Sequence, residues 1–182
     1  MMNNVSIIVT CEEKQQAQLR QLLPRLLSIQ HEGEYEVIVV DKMHDKDLDE
    51  WLEDMEVQFS QLSHTFCPAS SRGLDVQRLA ITLGAKAAVS EMLIILPVGV
   101  DLPTGDWLCK LMLQYDSSGS DVVVFTMRRG KSLSWFRRIF RRTFSVYAPT
   151  TSIILSRRSI LLKEQVVKMS NCKFIKCSQF LS

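Results

Sequence analysis

The chain has 182 residues, 46% of them apolar and 23% charged, a globular composition that excludes a disordered polymer. Net charge is +2, which by itself points to no polyanionic partner, but the charge is unevenly placed. Residues 1–126 carry 9 Lys/Arg and 19 Asp/Glu, whereas residues 127–182 carry 13 Lys/Arg and a single acid, Glu164, so an acidic body precedes a basic segment.

In chain order, Val5 to Thr10 is a short β-branched run that reads as a buried strand. Residues 13–30 place Leu19, Leu22, Leu23, Leu26 and Leu27 at helical spacing, with Pro24 as an expected kink. Tyr35 to Val40 is a second buried strand, ending at Asp41. An acidic helix over residues 45–57 and a weak strand from Ser63 to Cys67 follow. Residues 74–90 read as a small-residue helix with Leu79, Leu83 and Ala87 on one stripe. Met92 to Leu96 is a fourth strand, Asp106 to Tyr115 a helix, and Asp121 to Phe125 a fifth strand. Thr150 to Ser156 reads as a further strand, with a turn and helix from Arg157, and the rest, to Ser182, reads as short and polar-basic.

Near-continuous apolar strands alternating with amphipathic helices predict an α/β fold over about residues 4–126, with a mostly parallel sheet covered on both faces. The expected division is a core at 1–126 and a basic C-terminal segment at 127–182 that packs on or extends it. In open sheets of this type ligands bind beyond the carboxyl ends of the strands. The positions of interest are Thr10 to Glu13, Asp41 to Asp45, Ser70 to Gly73 and Pro97 to Asp101.

The five cysteines, Cys11, Cys67, Cys109, Cys172 and Cys177, form no CxxC pair and are odd in number, which argues against a disulfide framework or zinc site. A reducing, cytoplasmic compartment fits them. The N-terminus lacks a basic leader region, so no signal peptide is expected. No stretch reaches 18 apolar residues, so no spanning helix is expected either. His31, His44 and His64 share no metal-ligand spacing with Cys or acids, and Cys11 reads as a packed thiol. GxGxxG, GxxxxGK[ST] and GxSxG are all absent, which removes three common nucleotide-binding and hydrolase signatures.

What remains is an order of segments: VSIIVTCEEKQQAQLRQLLPRLL, then EVIVVDKMHDKD, then SSRGLDVQRLAITLGAKAAVSEMLIILPVGVDLPTGDWLCKL. This order resembles the family 2 glycosyltransferases of the GT-A nucleotide-sugar fold, and is most similar to bacterial members with a C-terminal membrane portion. The matches are Glu12 or Glu13 after the first strand, Asp41 after the second, Leu79 through Gly84 to Ala88 and Glu91, and Pro103 with Trp107 and Leu108. The resemblance implies a nucleotide-sugar ligand at the first two strand ends, with Thr10, Glu12, Asp41 and Lys42 as contacts. Asp41 is the leading candidate; its other reading is a cap for the following helix. Lys42 stands where the family has a second aspartate, and its ammonium either meets a phosphate or is solvated.

Two departures weaken the catalytic reading. The family's Asp-x-Asp, which holds a divalent metal, is Pro97-Val98-Gly99 here, and neither end has a ligating side chain. Mn²⁺ or Mg²⁺ is expected only if Asp101 ligates, and Asp101 also reads as a turn residue before Leu102. The family's base lies in an acidic motif after the fifth strand, where only Glu164 remains, in a sequence that reads as a solvated helix. The expectation is a glycosyltransferase-like domain that binds a nucleotide-sugar, with transfer impaired or lost. The alternative is a non-catalytic accessory module that contacts a membrane surface or an active glycosyltransferase.

Residues 128–147 form the basic stretch. On a helix, Leu133, Phe136, Phe140 and Phe144 fall on one side and Arg137, Arg138, Arg141 and Arg142 flank them. This amphipathic pattern suits an anionic membrane surface and a peripheral position on its inner face; a helix packed on the sheet is the other reading. No nucleic-acid-binding fold surrounds these arginines, so no nucleic-acid partner is expected.

Overall fold

The structure is a computed structural model, and it describes residues 4–68, 76–100, 102, 106–126, 152–163 and 172–176. Its elements are β1 (Val5–Cys11), a 3-10 turn (Glu13–Gln15), α1 (Gln16–Leu27), β2 (Tyr35–Asp41), α2 (Lys46–Gln58), β3 (Leu62–Phe66), α3 (Val76–Ala87), β4 (Met92–Pro97), α4 (Trp107–Ser118), β5 (Val122–Thr126), β6 (Ser152–Arg157), α5 (Arg158–Lys163) and β7 (Cys172–Lys176). The strands form one seven-stranded sheet in the order β3-β2-β1-β4-β6-β5-β7. Neighbours are parallel except at β6, which runs antiparallel to both β4 and β5.

The alternation of side chains along each strand builds two cores. Val5, Ile7, Val9, Val37, Val39, Ile94, Val123 and Phe125 face the side covered by α1, α2 and α4. Ile8, Ile38, Val40, Leu93, Ile95, Val122 and Val124 face α3 and Leu161 of α5. The expected mixed α/β sheet with helices on both faces is therefore present. β6 and β7 come from beyond residue 126, and β6 lies inside the sheet between β4 and β5.

Pro24 sits within α1 with its ring on the exposed face, so the missing N–H and the ring face water and not the core. Two details differ from the sequence expectations. The buried stripe of α3 is Ala80, Ile81, Gly84 and Ala85; Leu79 and Leu83 are only partly buried and Ala87 is exposed. The reason is close packing: a Cβ on Gly84 would lie 2.6 Å from Cγ2 of Ile8, so this helix rides too near the sheet for large side chains beneath it. Finally, Cys172–Lys176 is a strand, paired parallel with β5, in a stretch whose sequence reads as polar and basic.

Candidate functional site

The carboxyl ends of β3, β2, β1 and β4 form one rim. Register places Phe66 beside Asp41, Asp41 beside Cys11, and Thr10 beside Pro97. Asp41 is buried, and its two carboxylate oxygens accept the backbone N–H groups of Met43 at 2.9 Å and Asp45 at 2.6 Å. It thereby closes the turn out of β2. Asp45, not Asp41, is the helix cap, accepting from the Leu48 N–H at 3.0 Å. Inside this turn His44 takes a left-handed backbone (φ 55) and stacks on Phe66, with ring centroids 3.6 Å apart and planes within 4°. Phe66 and Met43 keep substantial exposure, so the rim at β2 and β3 carries apolar and aromatic surface.

Lys42 is not solvated. Its side chain is 8% exposed, and its ammonium donates to Glu12 Oε1 at 2.5 Å and to Gln77 Oε1 at 2.7 Å. The Gln77 amide in turn donates to Thr10 Oγ1 at 3.3 Å. Glu12, Lys42, Gln77 and Thr10 thus form one chain of hydrogen bonds running from the β2 end across β1. Glu12 also caps the 3-10 turn in a reciprocal arrangement with Gln15. The four residues expected at a nucleotide contact, Thr10, Glu12, Asp41 and Lys42, are therefore neighbours. Gln77 was not singled out from the sequence; the available signal was a polar side chain in the first turn of a helix that follows a strand end.

Burial pushes the Cys11 thiol up to about 12, with the nearby Asp41 carboxylate acting in the same direction. The Cys67 thiol is also raised, by burial first. Neither is a nucleophile at neutral pH.

The rim at β4 is built differently. Val98, Val100 and Leu102 are buried, a turn closes from the Val100 N–H to the Pro97 carbonyl at 3.2 Å, and the Arg25 guanidinium donates to the Leu102 carbonyl. Gly99 faces outward, with room for a side chain: a Cβ there meets only Gln18 Oε1, at 3.7 Å. A divalent metal needs anionic oxygen ligands, and Pro97 and Gly99 supply none. No group of three or more His, Cys, Asp or Glu that could hold a metal ion occurs among the described residues. Asp101, Ser70 to Gly73, Glu164 and the basic stretch with Arg137, Arg138, Arg141 and Arg142 lie outside the described residues. Among the described residues no helix is long and apolar enough to cross a membrane.

Three other titratable residues have local work. Glu91 lies at the amino end of β4, away from the rim, and accepts from the Ser159 N–H at 3.2 Å and from the Ser159 hydroxyl. Those hydrogen bonds hold its carboxyl below the usual range. Arg158 donates to the carbonyls of Ala85 at 3.0 Å and Lys86 at 3.3 Å, so the pair fastens α5 to the end of α3. His64 on β3 lies between Glu56 (2.7 Å) and Asp49 (2.9 Å) of α2.

No protein-family model matches the sequence, and no curated protein matches it. Solved structures do match the fold. The S. aureus TarS fragment 1–349 superposes with a TM-score of 0.64 at 17% identity, covering 94% of this chain and 58% of that one. The same fragment in complex with UDP gives 0.64 and 17%, with 94% and 57% covered. The mannosyltransferase PcManGT from Pyrobaculum calidifontis, in complex with GDP-Man and Mn²⁺, gives 0.61 at 13% identity, covering 90% of this chain and 47% of that one. The fold is that of GT-A glycosyltransferases. This chain spans roughly half the length of the structures it matches.

Proposed function

We propose that this chain is a glycosyltransferase-like domain, similar to family 2, that binds a nucleotide-sugar on the rim formed by β1, β2 and β4 and in which glycosyl transfer is impaired or lost. The carrying observation is the hydrogen-bonded set Glu12, Lys42, Gln77 and Thr10, with Asp41 beside it, at the carboxyl strand ends of a fold that superposes on structures solved with UDP and with GDP-Man. Impairment is supported by Pro97 and Gly99, which supply no metal-ligating side chain, and by Glu164 being the only acid beyond Asp121. A thermal-shift screen of UDP-, GDP- and dTDP-sugars tests binding, since a ligand at a hundredfold excess over Kd stabilises by about 2.7 kcal/mol. A transfer assay on any sugar that binds tests the second half. Turnover onto an acceptor above background overturns the impairment.

A second reading has its own support. Thirteen cations against one acid after residue 126, with aromatics among them, favour a peripheral contact with anionic lipid, as in an accessory module. Each of Arg137, Arg138, Arg141 and Arg142 then contributes about 1 kcal/mol near such a surface. Sedimentation with phosphatidylserine vesicles that is lost when all four become Gln supports it, and no sedimentation of the parent removes it.

A further inference from the structure

A nucleoside diphosphate carries its charge on the phosphates, and Pro97 and Gly99 at the end of β4 bring no carboxylate to hold a metal there, so a fixed cation of the chain is the other means of neutralising that charge. We propose that Lys42, positioned by Gln77, is the fixed cation that receives the phosphates of the bound nucleotide, without a metal. The inference rests on the nucleotide-binding reading above and assigns one contact within that site.

A lysine in a turn normally extends its charge into water, because burying an ammonium is costly without partners. Lys42 does the opposite. Its side chain is 8% exposed and is drawn over the end of β1 by Gln77, whose amide is itself held on Thr10. Such restraint of a long, flexible side chain removes ordering cost from ligand binding. An ammonium has three N–H donors, and Glu12 and Gln77 engage two. Glu12 is 54% exposed, and a stronger anion displaces its Oε1 from the ammonium while its capping bonds to Gln15 stay in place. The nearby carboxylates of Asp41 and Asp45 are turned onto the backbone N–H groups of Met43, Asp45 and Leu48. They are engaged by the chain itself, and among the described residues at the ends of β1 and β2 Lys42 is the cation that an anion would meet. Gln77 acts through Lys42 and is a positioning residue.

Calorimetry of the full chain with UDP and GDP, each against its nucleoside and without metal, tests the assignment. Lys42→Met lowers diphosphate affinity about ten- to a hundredfold, the span of a charge-assisted hydrogen bond, and leaves nucleoside affinity unchanged. Gln77→Ala lowers the diphosphate-to-nucleoside ratio in the same direction, and Lys42→Arg retains most of it. Equal loss for both ligands, or loss for neither, overturns the assignment while nucleotide binding stands. A parent that binds neither nucleotide overturns both readings. If Lys42→Met does not fold, Gln77→Ala decides: a fall in the diphosphate-to-nucleoside affinity ratio supports the assignment, and an unchanged ratio overturns it.

Discussion

Gly84→Ala is the substitution whose outcome sequence and structure assign opposite signs. On helix propensity alone, alanine gains about 1 kcal/mol over glycine in a helix interior. In the structure the new Cβ lies 2.6 Å from Cγ2 of Ile8 and 3.3 Å from Cγ2 of Val40. Both atoms are branch methyls, one bond from Cβ, on fully buried residues of the adjacent strands β1 and β2, so neither swings aside. The helix must lift from the sheet by several tenths of an ångström. Overpacking of this kind costs about 1–3 kcal/mol, and a contact this short belongs near the upper end. The expected net loss is about 1–2 kcal/mol, which in a domain of this size lowers Tm by roughly 2–8 °C. Because α3 also carries Gln77, the lift separates that amide from Lys42 and Thr10, and nucleotide affinity falls with stability. Denaturant unfolding of Gly84→Ala, Ile8→Ala and the double variant measures this. Ile8→Ala removes the clashing methyl, so the two losses combine to less than their sum. A Gly84→Ala protein as stable as its parent, or additive losses, refutes the packing argument.

Other expectations follow from single sites. Burial pulls the His64 pKa down, but the hydrogen bonds and charges of Glu56 and Asp49 outweigh it and leave it raised. Its stabilisation is therefore complete below about pH 6.5 and is lost as pH rises through the raised folded value. Unfolding midpoints of parent and His64→Gln compared from pH 5 to 9 should converge at the alkaline end, and a constant gap contradicts the clamp. Cys11, with its thiol pushed up to about 12, should resist alkylation at pH 8 in the folded protein and react on unfolding, as read by mass spectrometry; prompt native labelling at Cys11 contradicts its burial. Gly99→Asp should change stability by no more than about 0.5 kcal/mol, since the position faces outward with its nearest neighbour 3.7 Å from a Cβ. The double variant Pro97→Asp/Gly99→Asp should still show no transfer, because it supplies carboxylates and no base.

The strands were legible because β-branched runs such as Val5 to Thr10 and Tyr35 to Val40 leave no helical alternative. Cys172–Lys176 was not, since its lysines hide the period-two signal. The insertion of β6 between β4 and β5 is equally silent in sequence, because strand order depends on contacts distant along the chain. On α3 the large leucines suggested the buried stripe, and the structure instead buries the small residues because the helix lies close to Ile8. At the rim, the strand-end rule placed Thr10, Glu12, Asp41 and Lys42 together. It did not reveal that the Lys42 side chain is drawn largely out of water or that Gln77 holds it, because both depend on where α3 sits over the sheet. Glu91 matched a motif by position, yet it works at the amino end of β4, at the opposite strand ends from the rim, fastening α5 through Ser159.

The most direct test of nucleotide binding without a carboxylate-held metal is calorimetry of the unmodified chain with UDP and with GDP, in EDTA and again in Mn²⁺. The account predicts saturable binding of one nucleotide with the same affinity in both buffers. Absence of binding to either nucleotide, or binding that appears only with Mn²⁺, contradicts it.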